Sequence, residues 1–179
     1  MGLRKENGNA TEAKLPDSHI LQKILNEHAL SRCYLADLVQ IADEINHLDR
    51  LSDMSSEFRR LAHTIDYFYH FKRHIEREED IIFPYLKKFG WKGLCRADKD
   101  EHRKILADIN NLVVLVSSFG DFKFVDFNGY LQKIIQHFIP MVQDHLSYEE
   151  DILWPIALVV LDDAKTWETI KAFCDEFEY

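Results

Sequence analysis

One eleven-residue pattern occurs twice in this chain, 71 positions apart: residues 74–84 read H-I-E-R-E-E-D-I-I-F-P and residues 145–155 read H-L-S-Y-E-E-D-I-L-W-P. Both copies keep His, a Glu four residues later, then Glu, Asp, Ile, an aliphatic, an aromatic and Pro. Self-similarity of this kind implies that the fold is built from two like units. Each copy is preceded by a shorter echo, Glu27-His28 and Glu101-His102, lying 46 and 43 residues before the HxxxE histidines. Either gap has the length of one helical hairpin. The chain therefore reads as two similar hairpins.

The apolar residues recur at helical spacing throughout. Pro16-Asp17-Ser18 starts a first helix, whose stripe of Ile20, Ile24, Leu35, Leu38 and Ala42 runs to about His47. A polar connection over 48–54 leads to a second helix from about Ser55 through Leu61, Ile65, Phe68, Phe71 and Ile75 to Lys88, with Gly90 as its stop. A third covers about 97–118 and is broken by Phe119-Gly120-Asp121. A fourth runs from about Asp126 to Leu161, and a short fifth covers about 162–177. Pro84, Pro140 and Pro155 fall inside helical patterns, where each forfeits a backbone hydrogen bond and should kink or break its helix. No strand-like alternation is present. The expected fold is all-α, an antiparallel four-helix bundle over residues 16–179 with a short C-terminal helix, preceded by a flexible segment over 1–15.

Composition excludes several classes of function. Acidic residues outnumber basic ones 31 to 22, and a net charge of −9 repels phosphate backbones, so nucleic acid is not an expected partner. No apolar run approaches the ~18–20 residues of a spanning helix, so no membrane partner is expected. Residues 1–15 lack the apolar region of a secretory signal, and Glu6 stands where myristoylation requires Ser or Thr. Cys33, Cys95 and Cys174 are scattered and odd in number, which suits neither a zinc knuckle nor a disulfide framework and fits a cytoplasmic location.

A bare HxxxE carries little information, since nine His and fourteen Glu in 179 residues give about 0.7 by chance. Its extension to the proline, twice, is what chance does not supply. Residues four apart share a helix face one turn apart, so each His and Glu can approach one metal or two adjacent metals. Four helices then present His28, His74, His102 and His145 with Glu78 and Glu149 to a common interior. Mixed imidazole and carboxylate ligation suits iron better than magnesium or calcium. Six ligands are too many for one tetrahedral zinc and fit two irons sharing two carboxylates. They leave positions for solvent or a small ligand midway along the bundle axis.

Together N-E-H at 26–28, H-x3-E-E-D-I-I-F-P at 74–84, His102 and H-x3-E-E-D-I-L-W-P at 145–155 resemble the hemerythrin-like family of HHE cation-binding domains. The resemblance spans about residues 18–165. It implies a four-helix bundle around a non-haem diiron centre with an oxo or hydroxo bridge, His28 and His74 on one iron, His102 and His145 on the other, and Glu78 and Glu149 bridging. Oxygen-carrying hemerythrins have a further His four residues before the third-helix His, where this chain has Asp98. They also end in His-x4-Asp rather than His145-x3-Glu149. The pattern is therefore nearer the bacterial and archaeal members with four or five His and two Glu. These resemble oxygen or nitric oxide binders, peroxide-decomposing proteins, iron sensors or iron–sulfur repair factors.

The first functional expectation is accordingly a diiron protein that binds or senses oxygen or nitric oxide. The alternatives are an enzyme that decomposes hydrogen peroxide, aided by Tyr67, His70 or Asp98 in proton transfer, and an iron-dependent regulatory or repair protein with a protein partner. Asp98 and His70, each one turn before a motif His, are candidate additional ligands. Glu79, Glu150, Asp80 and Asp151 point off the ligand face and are assigned to surface or outer contacts. Tyr67, Phe71, Ile105, Phe138 and Met141 line the pocket and keep it dry.

Overall fold

A computed structural model describes residues 15–177. The flexible segment expected over 1–15 lies, apart from Leu15, outside the described residues. Among them there is no strand. Four long helices form the bundle: α1 (Ile20–Asn46), α2 (Ser56–Arg77) continued by α3 (Phe83–Lys88), α4 (Lys92–Ser117), and α5 (Phe124–Tyr148) continued by α6 (Trp154–Val160). A last helix, α7 (Ala164–Phe177), packs on the α1 end of the bundle, with the Trp167 and His19 rings 4.7 Å apart.

Pairings across helices run in opposite directions. Glu27 meets His74 and Glu44 meets Arg60 across α1 and α2, while Glu101 meets His145 and Asp108 meets His137 across α4 and α5. The neighbours are thus antiparallel, as short connections require. The helix starts and stops have local causes. Ser55 caps α2, accepting from the Phe58 N–H at 3.2 Å. Replacing Ser55 by Ala should cost about 1 kcal/mol, read as a Tm lowered by a few degrees with unchanged metal content. Gly90 adopts φ 94° and lets its own N–H and that of Trp91 return to the carbonyls of Lys87 and Leu86, closing α3. The first helix departs from expectation: Pro16-Asp17-Ser18 form a preceding turn and His19 is the cap, its Nδ1 accepting from the Leu21 N–H. The third helix begins five residues before the expected start, at Lys92.

The prolines act differently from one another. The α5 helix runs on through Pro140, so of the expected kink or break the break does not occur there. At Pro84 and Pro155 the chain neither stops nor turns away. Instead, π-helical turns occupy Glu78–Ile82 and Glu149–Leu153, in which the Phe83 and Trp154 N–H groups reach back five residues to the carbonyls of Glu78 and Glu149. Proline lacks an N–H and its ring crowds the carbonyl four residues earlier. A wider turn ahead of it relieves that crowding. The repeated proline therefore fixes a π turn that starts, in both hairpins, at the HxxxE glutamate.

Buried apolar residues fall into two clusters. The larger joins Leu35–Ile45 of α1 to Leu61–Ile75, Ile105–Leu115 and Phe127–Leu146, with Phe68 and Phe138 edge to face at 5.3 Å. The smaller gathers Ile20, Leu21 and Ile24 with Ile82, Phe83, Leu86, Cys95, Leu153, Trp154 and the inner face of α7. At the changeover from one to the other along each helix lie the buried polar residues His28, His74, Glu78, Asp98, His102, His145 and Glu149. This layer sits nearer the α1 N-terminus than the expected midpoint, because α1 sends more apolar rungs to the larger cluster.

Candidate metal centre

Each long helix delivers one imidazole to the polar layer, and the two π turns deliver one carboxylate each. His28, Glu78, His102 and Glu149 are fully buried, and His74 and His145 nearly so. His28 Nε2 lies 3.2 Å from His74 Nε2 and 3.1 Å from Glu149 Oε2, while His74 Nε2 lies 3.1 Å from Glu78 Oε1. On the other side His102 Nε2 is 3.3 Å from Glu78 Oε2, and His145 Nε2 is 3.3 Å from Glu149 Oε1. Two donor groups result: His28, His74, Glu78 and Glu149, and His102, His145, Glu78 and Glu149. Within each, one donor atom per residue lies within 4.8 Å of all the others. They share both carboxylates. For metal–nitrogen bonds of ~2.1 Å, neighbouring corners of an octahedron stand about 3.0 Å apart, close to the spacing of these atoms.

Both oxygens of Glu78 and of Glu149, and the Nε2 atoms of His102 and His145, have no hydrogen-bond partner. Buried polar atoms left unpaired are costly and rare, and here they converge on one interior volume. Cations placed between them would satisfy all of them at once. The donor set fits metal.

The outer nitrogens are arranged with equal care. His28 Nδ1 lies 3.0 Å from Glu150, His102 Nδ1 3.0 Å from Glu79, His74 Nδ1 2.6 Å from Glu27, and His145 Nδ1 3.4 Å from Glu101. A carboxylate on Nδ1 holds its proton there and turns Nε2 inward as a free donor. Thus Glu79 and Glu150, assigned by simple helical geometry to the outside, reach the backs of ligand-face imidazoles on other helices. A wider π turn rotates the chain less per residue, so the adjacent glutamates of each pair serve neighbouring histidines. The residues that sequence reasoning missed are Glu27 and Glu101. Their signal was present in the recurring Glu-His doublet, read only for its histidines.

Charge balance points the same way. Burial alone would lower the histidines, yet Glu78 and Glu27 push His74 up to about 10. Against the same burial, Glu149 and Glu78 push His102 to about 11, and Glu149 and Asp98 push His145 to about 9. Burial raises Glu27, but His74 and Arg77 outweigh it and hold the carboxyl at about 2. Burial also opposes ionisation of Glu78 and Glu149, which the surrounding imidazoles nevertheless keep below the ordinary range. Without metal, the layer thus demands protons. Histidines raised above 6.5 stabilise the metal-free fold fully below that value and lose the contribution as pH rises through about 9 to 11. Thermal unfolding of chelator-treated protein should therefore show Tm falling across that alkaline window. Metal loading at neutral pH should release protons, measurable in weakly buffered solution.

A family model, the hemerythrin HHE cation binding domain, matches residues 19–157. The chain belongs to this family. No curated protein matches it. As a hemerythrin-like domain it carries a cation-binding fold, and its buried His and Glu residues are grouped as metal binding requires. None of its described helices is long and apolar enough to cross a membrane.

The remaining candidates divide. His70 is exposed, with Nδ1 2.8 Å from the Asp66 carbonyl, so it is neither a ligand nor a core histidine in this hemerythrin-like bundle. Asp98 is fully buried, 3.3 Å from His145 Nδ1 and 3.8 Å from His102 Nε2. Burial first, then Glu149 and Glu78, raise its carboxyl to about 7. Phe71 of the larger cluster stacks on His74 at 4.5 Å and Phe83 of the smaller on His102 at 6.1 Å, so both clusters close directly over the layer. Tyr67 hydrogen-bonds Ser31 at 2.8 Å and stacks on Tyr34 at 3.8 Å. Cys33 is exposed.

Proposed function

We propose that this hemerythrin-like protein holds two non-haem irons at a carboxylate-bridged centre and there binds or senses a small oxidant or diatomic such as oxygen or nitric oxide. The observation that carries this reading is the pair of buried glutamates, unpartnered at all four oxygens and shared between two pairs of imidazoles. His28 and His74 would hold one ion, His102 and His145 the other, and Glu78 and Glu149 would span both. Imidazole and carboxylate together suit iron in both its accessible oxidation states. Bound iron would supply redox capacity and open coordination positions to a diatomic.

The chain's own part is to orient, to exclude water and to admit a small molecule. Glu27, Glu79, Glu101 and Glu150 hold the imidazoles by their outer nitrogens. Apolar clusters on either side exclude bulk solvent. A cavity of about 380 Å³, lined by Leu30, Tyr67, Phe71, His74 and Arg77 among others, opens beside the His28/His74 half and suits a small ligand. Two measurements test the reading. Elemental analysis of protein produced with ample iron should find about two irons per chain; zinc alone at one per chain would overturn it. Stopped-flow absorbance of the reduced protein mixed in parallel with oxygen, nitric oxide and peroxide should show fast, saturable binding of a diatomic. Multiple turnovers with peroxide alone would favour the peroxide-decomposing alternative.

A further inference from the structure

The two hairpins repeat the six central residues but differ around them. One turn before His102 stands Asp98; one turn before His28 stands Ile24, buried in the smaller apolar cluster. One turn after His28 stands Arg32, whose guanidinium grips both oxygens of Glu150 at 2.7 and 3.0 Å. The matching position after His102 is Leu106. Arg77 donates to Glu27 at 2.8 Å, and its counterpart in the second repeat is Tyr148. Thus both carboxylates behind His28 and His74 are matched by guanidiniums. Behind His102 and His145, Glu79 is paired with Lys99, whereas Glu101 and Asp98 have no Lys or Arg partner among the described residues. Behind its imidazoles the second half thus sets three acidic groups against one basic group, where the first half sets two against two.

Asp98 is the sharpest difference. Its carboxylate is fully buried, and neither oxygen makes a well-formed hydrogen bond, although Oδ1 lies 3.3 Å from His145 Nδ1. His145 Nδ1 sits between Glu101 Oε2 at 3.4 Å and Asp98 Oδ1 at 3.3 Å, while Asp98 Oδ2 faces, at 3.8 Å, the same inward Nε2 of His102 that faces Glu78 and Glu149. A buried carboxylate with one imidazole nitrogen beside one oxygen and its other oxygen turned to an inward ligand nitrogen is stabilised by a cation placed there. We propose that Asp98 is an additional metal-binding carboxylate, which makes the His102/His145 position the tighter of the two and the first to fill. This inference rests on the two-metal reading and adds an order of loading to it. The arginines work in the opposite sense on the His28/His74 position: they neutralise the carboxylates that would otherwise strengthen donation from its imidazoles.

Cobalt(II), which accepts imidazole and carboxylate ligands, is a suitable probe. Titration of chelator-treated full-length protein, followed by the visible absorbance of the bound ion, should give two steps separated by at least ~10-fold in affinity. Crystals grown with one equivalent should show anomalous scattering concentrated between His102 and His145. Asp98→Asn keeps the shape and removes the charge; it should weaken the first step by ~10–100-fold and bring the two steps together. Arg32→Gln, a change on a partly exposed side chain, should tighten the second step and narrow the gap from the other side. Equal occupancy at one equivalent, or scattering first between His28 and His74, would overturn the inference while leaving the two-metal reading intact. No cobalt at either position with two equivalents present would overturn both.

Discussion

Replacing Glu78 or Glu149 by Gln is expected to abolish paired metal binding while leaving the helical circular dichroism nearly unchanged. Each carboxylate offers one oxygen to each donor group and places its negative charge between two cations. An amide has the same shape but no charge, and its nitrogen has no lone pair to give. Glu79→Gln and Glu150→Gln provide the contrast. By helical register alone these positions face outward and would be silent. In the structure they accept from His102 and His28, so their loss should weaken metal binding by ~10–100-fold without abolishing it. Metal content after dialysis against a graded series of chelator strengths reads this order directly. Equal losses in all four variants would show that the carboxylates act together, with no distinction between bridging and supporting roles. Greater sensitivity at Glu79 and Glu150 would mean that the inward face has been misassigned.

The largest change in stability away from the polar layer should come from Phe138→Ala. Phe138 is fully buried, meets Phe68 edge to face and belongs to the larger apolar cluster. Truncating such a ring costs about 3–5 kcal/mol through lost burial and the cavity left behind. At about 2–4 °C per kcal/mol for a chain of this size, Tm should fall by roughly 6–20 °C. The drop should be seen in metal-loaded and chelator-treated protein alike, because the ring lies one apolar rung away from the ligands. Val159→Ala, at a side chain that is 79% exposed, should leave Tm within about a degree. If Phe138→Ala destabilised only the metal-loaded form, the ring would be acting on the centre rather than on the core.

How much of this was legible in the residues can be judged at particular positions. The inward histidines and the HxxxE glutamates could be named because a helix repeats its direction every turn, and a ligand face obeys that period wherever it occurs. The repeat named them twice, independently. The π turns were not legible, although their cause was. Pro84 and Pro155 announced a local failure of α-helical bonding, but whether a helix kinks, stops or widens depends on what holds its two ends, and that is settled by packing. Pro140 shows the other outcome, a helix that continues. His70 and Asp98 looked alike in sequence, each one turn before a motif histidine. They separate because α2 turns that flank to solvent, while α4 turns it toward His145.

Hydrophobic period and spacing, which are properties of single helices, thus determined the bundle, its two hairpins and the six inward side chains. Contacts between helices decided everything that surrounds those six. Glu27 supports a histidine on α2, Glu101 one on α5, Glu79 one on α4 and Glu150 one on α1. No residue supports the histidine of its own motif. Sequence spacing reports neighbours along one helix and is silent about which face of another helix lies opposite. That is fixed only when four apolar stripes close on one another, and the closure is what set Asp98 against two imidazoles on one side and two arginines behind the carboxylates of the other.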